Sequence, residues 1–179
     1  MAYTIETDRI LLRPFTEDDV AAVFAFGSNS EINRYTGDEN LKKLDHALDI
    51  IRNTWFKDYE TYGYGRLAVF HKAEKKVIGF AGIKYLPELE ETDLGFRFLP
   101  QYWGMGIATE VSIAILKHSF VNFPLNQIIG IAMKENLASC KVLEKVGLKW
   151  FKNDEVLGDG GDHRWFKTIR TDYNILNKA

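Results

Sequence analysis

The chain has 179 residues, of which 46% are hydrophobic and 27% charged, and a formal net charge of −2. That length suits a single domain spanning 1–179 with a core of its own, and the composition excludes a disordered chain. The near-neutral charge provides no global basic field, so no direct nucleic-acid partner is expected.

The opening "MAYTIETDRILLRPF" lacks a cationic segment followed by a continuous apolar stretch, so no signal peptide is expected. No run of about 18 apolar residues occurs anywhere, which speaks against a membrane span. The default expectation is a soluble cytoplasmic protein. "TIETDRILLRPF" reads as a first strand ending at Pro14. Thr16 then offers an N-cap to "EDDVAAVFAF", whose early acids suit a helix start, and Gly27 with "SNS" ends that helix. Leu44, Ala47, Leu48, Ile51, Trp55 and Tyr59 recur at helical spacing, predicting an amphipathic helix over 44–61 that "YGYG" (62–65) breaks.

"RLAVFH" and "KVIGFAGIKYL" read as two strands joined by the charged turn "KAEKK". "ETDLGFRFLP" follows as a fourth strand, with Gly95 marking a bulge or a close backbone approach. In "IATEVSIAILKHSFVNF", Ile107, Val111, Ala114, Ile115 and His118 share one helical side. "NQIIGIAM" has the character of a buried strand. "NLASCKVLEKVG" forms a short helix with Asn136 as N-cap and Gly147 as terminator. "LKWFKNDEVL" and "GDHRWFKTIRTDY" close as an antiparallel hairpin. The order βααβββαβαββ predicts an α/β fold around a central mixed β-sheet flanked by helices.

Two glycines stand at the start of the longest helix, in "PQYWGMGIATE". A loop at a helix N-terminus presents unpaired N–H groups and the positive end of the macrodipole, which favour phosphate. A nucleotide-hydrolysing P-loop needs Lys-Ser or Lys-Thr after its last glycine, and "GMGIATE" lacks both. A dinucleotide fingerprint needs a third Gly or Ala where Thr109 stands, and its strand should not follow a hairpin.

"PQYWGMGIATE" resembles the Arg/Gln-x-x-Gly-x-Gly/Ala loop of the N-acetyltransferase (GNAT) superfamily. "TDRILLRPFTEDD", "DLGFRFLPQYWGMGIATE" and "NLASCKVLEKVGL" are similar, in order and spacing, to the branch containing the ribosomal-protein N-terminal acetyltransferases. The resemblance implies a GNAT-like fold and acetyl-CoA as cosubstrate, with no metal needed. It implies that Phe96, Arg97 and Phe98 pair through their backbone with the pantetheine arm, their N–H groups polarising the thioester carbonyl. The implied pyrophosphate loop runs through Trp103, Gly104, Met105, Gly106, Ile107 and Ala108. Trp103 stands where much of the family has Arg or Gln, and is expected to pack beneath the loop.

Asn136 matches a family asparagine that bonds the pantetheine arm. Many relatives carry, seven residues on, a tyrosine that protonates the departing thiolate; here that position is Leu143. Ser139 matches a serine that lies near the cofactor sulfur in the resembled branch. Cys140 is the only cysteine, which forbids an intramolecular disulfide, and it is expected to be a small buried residue rather than a nucleophile.

An amine must be neutral to attack. A lysine ε-amine at about 10.4 is harder to deprotonate than an α-amine at about 7.7–8.0, by roughly 3–4 kcal/mol. An α-amine therefore asks less of the enzyme, and the resemblance favours a protein N-terminal α-amine as acceptor, with a small-molecule amine left open. Asp93 is the first choice of base, ahead of Glu91, Glu31, Asp38 and Glu39; His71, His118 and His163 are scattered. Arg34 and Tyr35 lie in a stretch that frames the acceptor in this family. The expected activity is acetyl transfer from acetyl-CoA to a primary amine within a ternary complex. Leu143 keeps a second reading alive, an acyl-CoA-binding module without turnover. No membrane partner is expected, and a homodimer is left open.

Overall fold

The computed structural model describes residues 3–176. Eight strands form one sheet in the order β1-β2-β3-β4-β5-β6-β8-β7. The strands are β1 (Ile5–Glu6), β2 (Ile10–Arg13), β3 (Arg66–His71), β4 (Lys76–Leu86), β5 (Glu91–Phe98), β6 (Gln127–Met133), β7 (Lys149–Asp154) and β8 (His163–Ile169). Only β5 and β6 run parallel; the other neighbours are antiparallel. This is the expected mixed sheet.

The first predicted strand is in fact a hairpin, with Ile5 opposite Leu12 and Glu6 opposite Leu11. Thr7 folds the chain back by donating its N–H to the Ile10 carbonyl (2.9 Å) and accepting the Ile10 N–H on its hydroxyl (3.1 Å). A side chain that satisfies a backbone group locally competes with a continuous strand.

Helix α1 (Val20–Gly27) follows a 3-10 turn at Glu17–Asp19. Its entry is organised by Asp19, which accepts from the Thr16 N–H (2.9 Å) and hydroxyl (3.2 Å) and from both terminal nitrogens of Arg13 (2.7 and 2.8 Å). A single turn, α2 (Ser30–Asn33), follows, capped by Asn29 accepting from Glu31 and Ile32 N–H. The predicted 44–61 helix is present as α3 (Leu44–Ile50), a π-turn stretch (Ile51–Trp55) and α4 (Phe56–Tyr62) in one run.

Two apolar layers sandwich the sheet. Val23, Phe26, Ala47, Ile51 and Trp55 cover one face, with Phe15 stacked on Trp55 at 4.0 Å. Helix α5 (Ile107–Asn122) covers the other with Ile107, Val111, Ile115 and Leu116 against Ile78, Ile83 and Leu94. Helix α6 (Leu137–Lys145) lies on the same side, packing Leu143 into that cluster. The last predicted strand stops at Ile169, and α7 (Arg170–Leu176) replaces its end. Arg170 explains the switch: its guanidinium donates to the carbonyls of Phe120 in the last turn of α5 and of Phe123 (2.7 Å) and Leu125 (3.0 Å) just beyond it, which draws the chain out of the strand.

The Asp19 knot yields a stability prediction. Burial pushes the Asp19 carboxyl up, but the Arg13 and Thr16 hydrogen bonds outweigh it and hold it below the usual carboxylate range. Its stabilisation is therefore complete above the unfolded value of about 3.9 and is lost as pH falls through the lower folded value. Asp19→Asn is expected to cost about 2–3 kcal/mol at pH 7 in urea titration and to flatten the acid limb of stability against pH. An unchanged midpoint would refute the role assigned to Asp19.

Candidate active site

β5 and β6 part company. Their single registered pair is Asp93 with Ile129. β5 nevertheless keeps β4 as far as Phe98 opposite Gly79, and β6 keeps β8 as far as Met133 opposite His163. Each strand thus retains one neighbour and turns its other edge into a wedge-shaped gap, where backbone donors and acceptors need outside partners. Phe96, Arg97 and Phe98 lie on the parted stretch of β5. The Phe96 and Phe98 side chains turn to the α5 side, and Arg97 turns to the opposite face.

The loop from β5 to α5 opens beside this gap. Gly104 and Gly106 adopt φ of +73° and +76°, a conformation that few side chains tolerate. A Cβ on Gly104 would meet nothing within 4 Å, and one on Gly106 only an Arg9 nitrogen at 3.8 Å. The Gly106 carbonyl accepts the first helical bond, from Glu110 N–H at 3.0 Å. The N–H groups of Gly104, Met105, Gly106, Ile107 and Ala108 reach no acceptor among the described residues. Open space, free donors and a sixteen-residue helix behind them suit a polyphosphate.

A cation also stands here that the sequence reading passed over. Arg9, in the β1–β2 turn, donates to the Met105 carbonyl (2.9 Å) and pairs with Glu110 of α5 (2.6 Å). Thr7 adds a bond to the same carboxylate (2.6 Å). Burial pushes Glu110 up, but these bonds outweigh it and hold the carboxyl below its ordinary range. Arg9 sits inside the quoted motif "TDRILLRPF", yet only the hairpin turn carries it to the loop. Trp103 is not packed beneath the loop as expected. The residue is 46% exposed, with its indole N–H tied to the Phe98 carbonyl (2.8 Å) at the end of the parted strand.

Across the gap, Asn136 caps α6 by accepting the Ser139 N–H on Oδ1 (3.1 Å). Its Nδ2 makes no hydrogen bond among the described residues, so the capping role leaves a donor to spare. Ser139 is partly exposed, and its hydroxyl is likewise unengaged. Cys140 is 2% exposed, and burial raises its thiol pKa, which suits a core residue and not a thiolate nucleophile. Leu143 is buried against Gly130 of β6.

The opposite sheet face carries a groove of about 600 Å³ whose lining includes Phe26, Trp55, Arg66, Phe80, Lys84 and Arg97. Its floor lies on β3, β4 and β5. Gly82 pairs with Gly95, and a Cβ on Gly95 would fall 2.4 Å from the Arg66 guanidinium that covers them. This is the close approach Gly95 signalled. Arg66 donates to the Gly82 and Asp93 carbonyls and pairs with the Asp93 carboxylate at 2.5 Å. Arg97 pairs with Asp38 (2.5 Å) and donates to Asn33 (3.0 Å). Asp58 of α4 is buried, with Oδ2 unpartnered among the described residues; burial drives its carboxyl up against the pull of Lys84 and Arg66.

The other candidate bases are placed apart. Glu91 accepts from Gln127 (2.5 Å) where β5 and β6 are still joined, and Glu31 is exposed on α2. Asp38 and Glu39 line the groove. His71, His118 and His163 are outside the groove lining, and His118 is stacked on Tyr3 at 4.6 Å. Arg34 stacks on Tyr35 and neither lines the groove. Arg66 and Lys84 had one legible signal, a cation in an otherwise apolar strand. Phe26 and Phe80 had none that set them apart from core.

Known proteins match this arrangement. A model of the GNAT acetyltransferase domain covers residues 9–149. The uncharacterized N-acetyltransferase YoaA of Bacillus subtilis (strain 168) is 31% identical over 146 residues, 81% of this chain and 82% of its own. Two solved structures share the fold. RimL, a ribosomal alpha-N-protein acetyltransferase in complex with coenzyme A, has a TM-score of 0.79 at 14% identity, over 93% of this chain and 98% of its own. Spermidine N-acetyltransferase from Vibrio cholerae, in complex with CoA and spermine, has a TM-score of 0.76 at 18% identity, over 94% and 99%. The chain belongs to the GNAT acetyltransferase family and is an acetyl-CoA-dependent N-acetyltransferase.

The loop geometry makes Gly106 a direct test. Gly106→Val puts a branched side chain at positive φ into the open space, and is expected to raise the dissociation constant of CoA by about ten-fold or more in calorimetry. Unchanged affinity in a variant that still unfolds cooperatively would refute the loop as the polyphosphate site.

Proposed function

We propose that the chain acetylates a primary amine by direct transfer, with donor and acceptor held together on the two sides of β5. The observation that carries this reading is the position of β5 itself. One edge of the strand faces the gap to β6, while Asp93, Gly95 and Arg97 lie on the face that floors the groove.

Bound acetyl-CoA supplies the acetyl thioester. The chain's own groups then have separate tasks. The loop N–H groups from Gly104 to Ala108 take the pyrophosphate, with Arg9 holding the loop in shape. The edge at Phe96–Phe98, apart from the Phe98 carbonyl that Trp103 holds, and the spare Asn136 Nδ2 take the pantetheine arm. N–H groups of the parted strand polarise the thioester carbonyl, in an arrangement that costs no reorganisation. Ser139 donates its hydroxyl proton in a hydrogen bond to the sulfur as negative charge gathers there.

Asp93 serves this chemistry as a positioning residue. Its carboxylate is engaged by Arg66, which fixes the guanidinium over Gly82 and Gly95. The acceptor proton leaves through water in the open groove. An α-amine at about 7.7–8.0 is substantially neutral near pH 8, so such an acceptor needs no strong base, whereas an ε-amine does. This favours an α-amine, as on a protein N-terminus or a small amino compound. RimL, an alpha-N-protein acetyltransferase of the same fold, is consistent with this preference.

Thiol release from acetyl-CoA with a panel of amines tests the proposal. Acceptor-dependent release with intersecting initial-rate lines is expected; parallel lines, or CoA binding with no acceptor-dependent release, would contradict it. Ser139→Ala is expected to lower kcat about ten-fold, the worth of one hydrogen bond to a developing charge, while CoA affinity stays within about two-fold. Equal kcat would remove Ser139 from the mechanism.

A further inference from the structure

We infer that the acceptor carries a carboxylate within a few bonds of its amine, and that Lys84 is the residue that reads it. The inference rests on the amine-transfer reading above. It starts from an imbalance among the cations that line the groove. Arg66 is spent on Asp93 and two carbonyls, and Arg97 on Asp38 and Asn33. Lys84 is partly buried, lines the same groove, and has no hydrogen bond or ion pair among the described residues.

No carboxylate among the described residues comes within ion-pair distance of it. Asp93 lies directly opposite Lys84 across β4 and β5, but its carboxylate is committed to Arg66. Asp38 is committed to Arg97 and is 58% exposed, and Glu39 is exposed near it at the groove's rim. Asp58 is the remaining neighbour, a buried carboxyl that burial pushes up against the pull of Lys84 and Arg66, and it makes no ion pair with Lys84 among the described residues. A cation in a partly desolvated wall without a paired anion is costly unless a ligand completes it. Phe26, Trp55 and Phe80 give the same groove an apolar wall for the carbon skeleton between the two groups. A polyamine, by contrast, would bring further cations against Lys84.

One chemistry, a carboxylate near an α-amine, can come from the α-carboxylate of a free amino acid or from an acidic side chain at a peptide N-terminus. The test is acetyl-CoA thiol release by the intact protein with phenylalanine, phenylalaninamide, an aspartyl-phenylalaninamide and spermidine. At least one carboxylate-bearing amine is expected to exceed phenylalaninamide and spermidine in kcat/KM by about ten-fold or more. Turnover of phenylalanine identifies the α-carboxylate, and turnover of the aspartyl peptide identifies the acidic side chain. Lys84→Gln is expected to raise KM for the preferred acid about ten-fold with kcat little changed, and to leave phenylalaninamide unaffected. Lys84→Glu is expected to invert the preference toward spermidine. Equal use of acid and amide by the unaltered protein would overturn the inference while leaving amine transfer intact. So would an unchanged KM for the preferred acid in a folded Lys84→Gln variant. Release with none of the four, despite CoA binding, would overturn both readings together.

Discussion

The parting of β5 from β6 after Asp93 is the constraint on which the rest of the molecule depends. Leaving two strand edges unpaired inside a sheet is unfavourable unless something else satisfies them. This sheet tolerates the gap because β4 and β8 hold the outer edges of the two strands over their full length. Each side of the gap is thereby held by a paired strand. The gap offers a row of backbone groups to an extended ligand, in the manner of a missing strand.

What lies at the rim of the gap follows from the same division. The chain leaving β5 must turn into α5 close to the opening, and two glycines in left-handed conformation make that turn with N–H groups that reach no acceptor among the described residues. Arg9 and Thr7, from a hairpin at the far edge of the sheet, lock Glu110 and the Met105 carbonyl. Loop shape is thereby tied to the packing of β1 and β2 over α5, and not to the glycines alone. On the opposite sheet face, the absence of a side chain on Gly95 makes room for the Arg66 guanidinium, which places a cation beside the parted strand. The gap and the groove are thus two consequences of how β4 and β5 are built.

Local chemistry was legible where it is carried by local sequence. The strand character of "KVIGFAGIKYL", the helical spacing of 44–61, the glycine pair before α5 and the Asn136 cap all act within a few residues, and all appear as read. The misreadings come from particular side-chain hydrogen bonds, to near neighbours at Thr7 and Trp103 and across the fold at Arg170. The first strand broke into a hairpin because Thr7 bonds back to Ile10, and the last strand ended early because Arg170 finds carbonyls some fifty residues away. Trp103 is exposed, with its indole N–H tied to the Phe98 carbonyl. The tie between Asp93 and Arg66 spans 27 positions, and nothing near Asp93 in sequence announces it. The groove aromatics Phe26 and Phe80 look like ordinary core in sequence, and in part they are.

Amide hydrogen exchange with and without CoA tests the central claim most directly. Saturating CoA is expected to slow exchange at Phe96–Phe98 and at Gly104–Ala108 together, with little change in β1 and β2 beyond the Arg9 turn. Saturable CoA binding that left both stretches unprotected would contradict that claim.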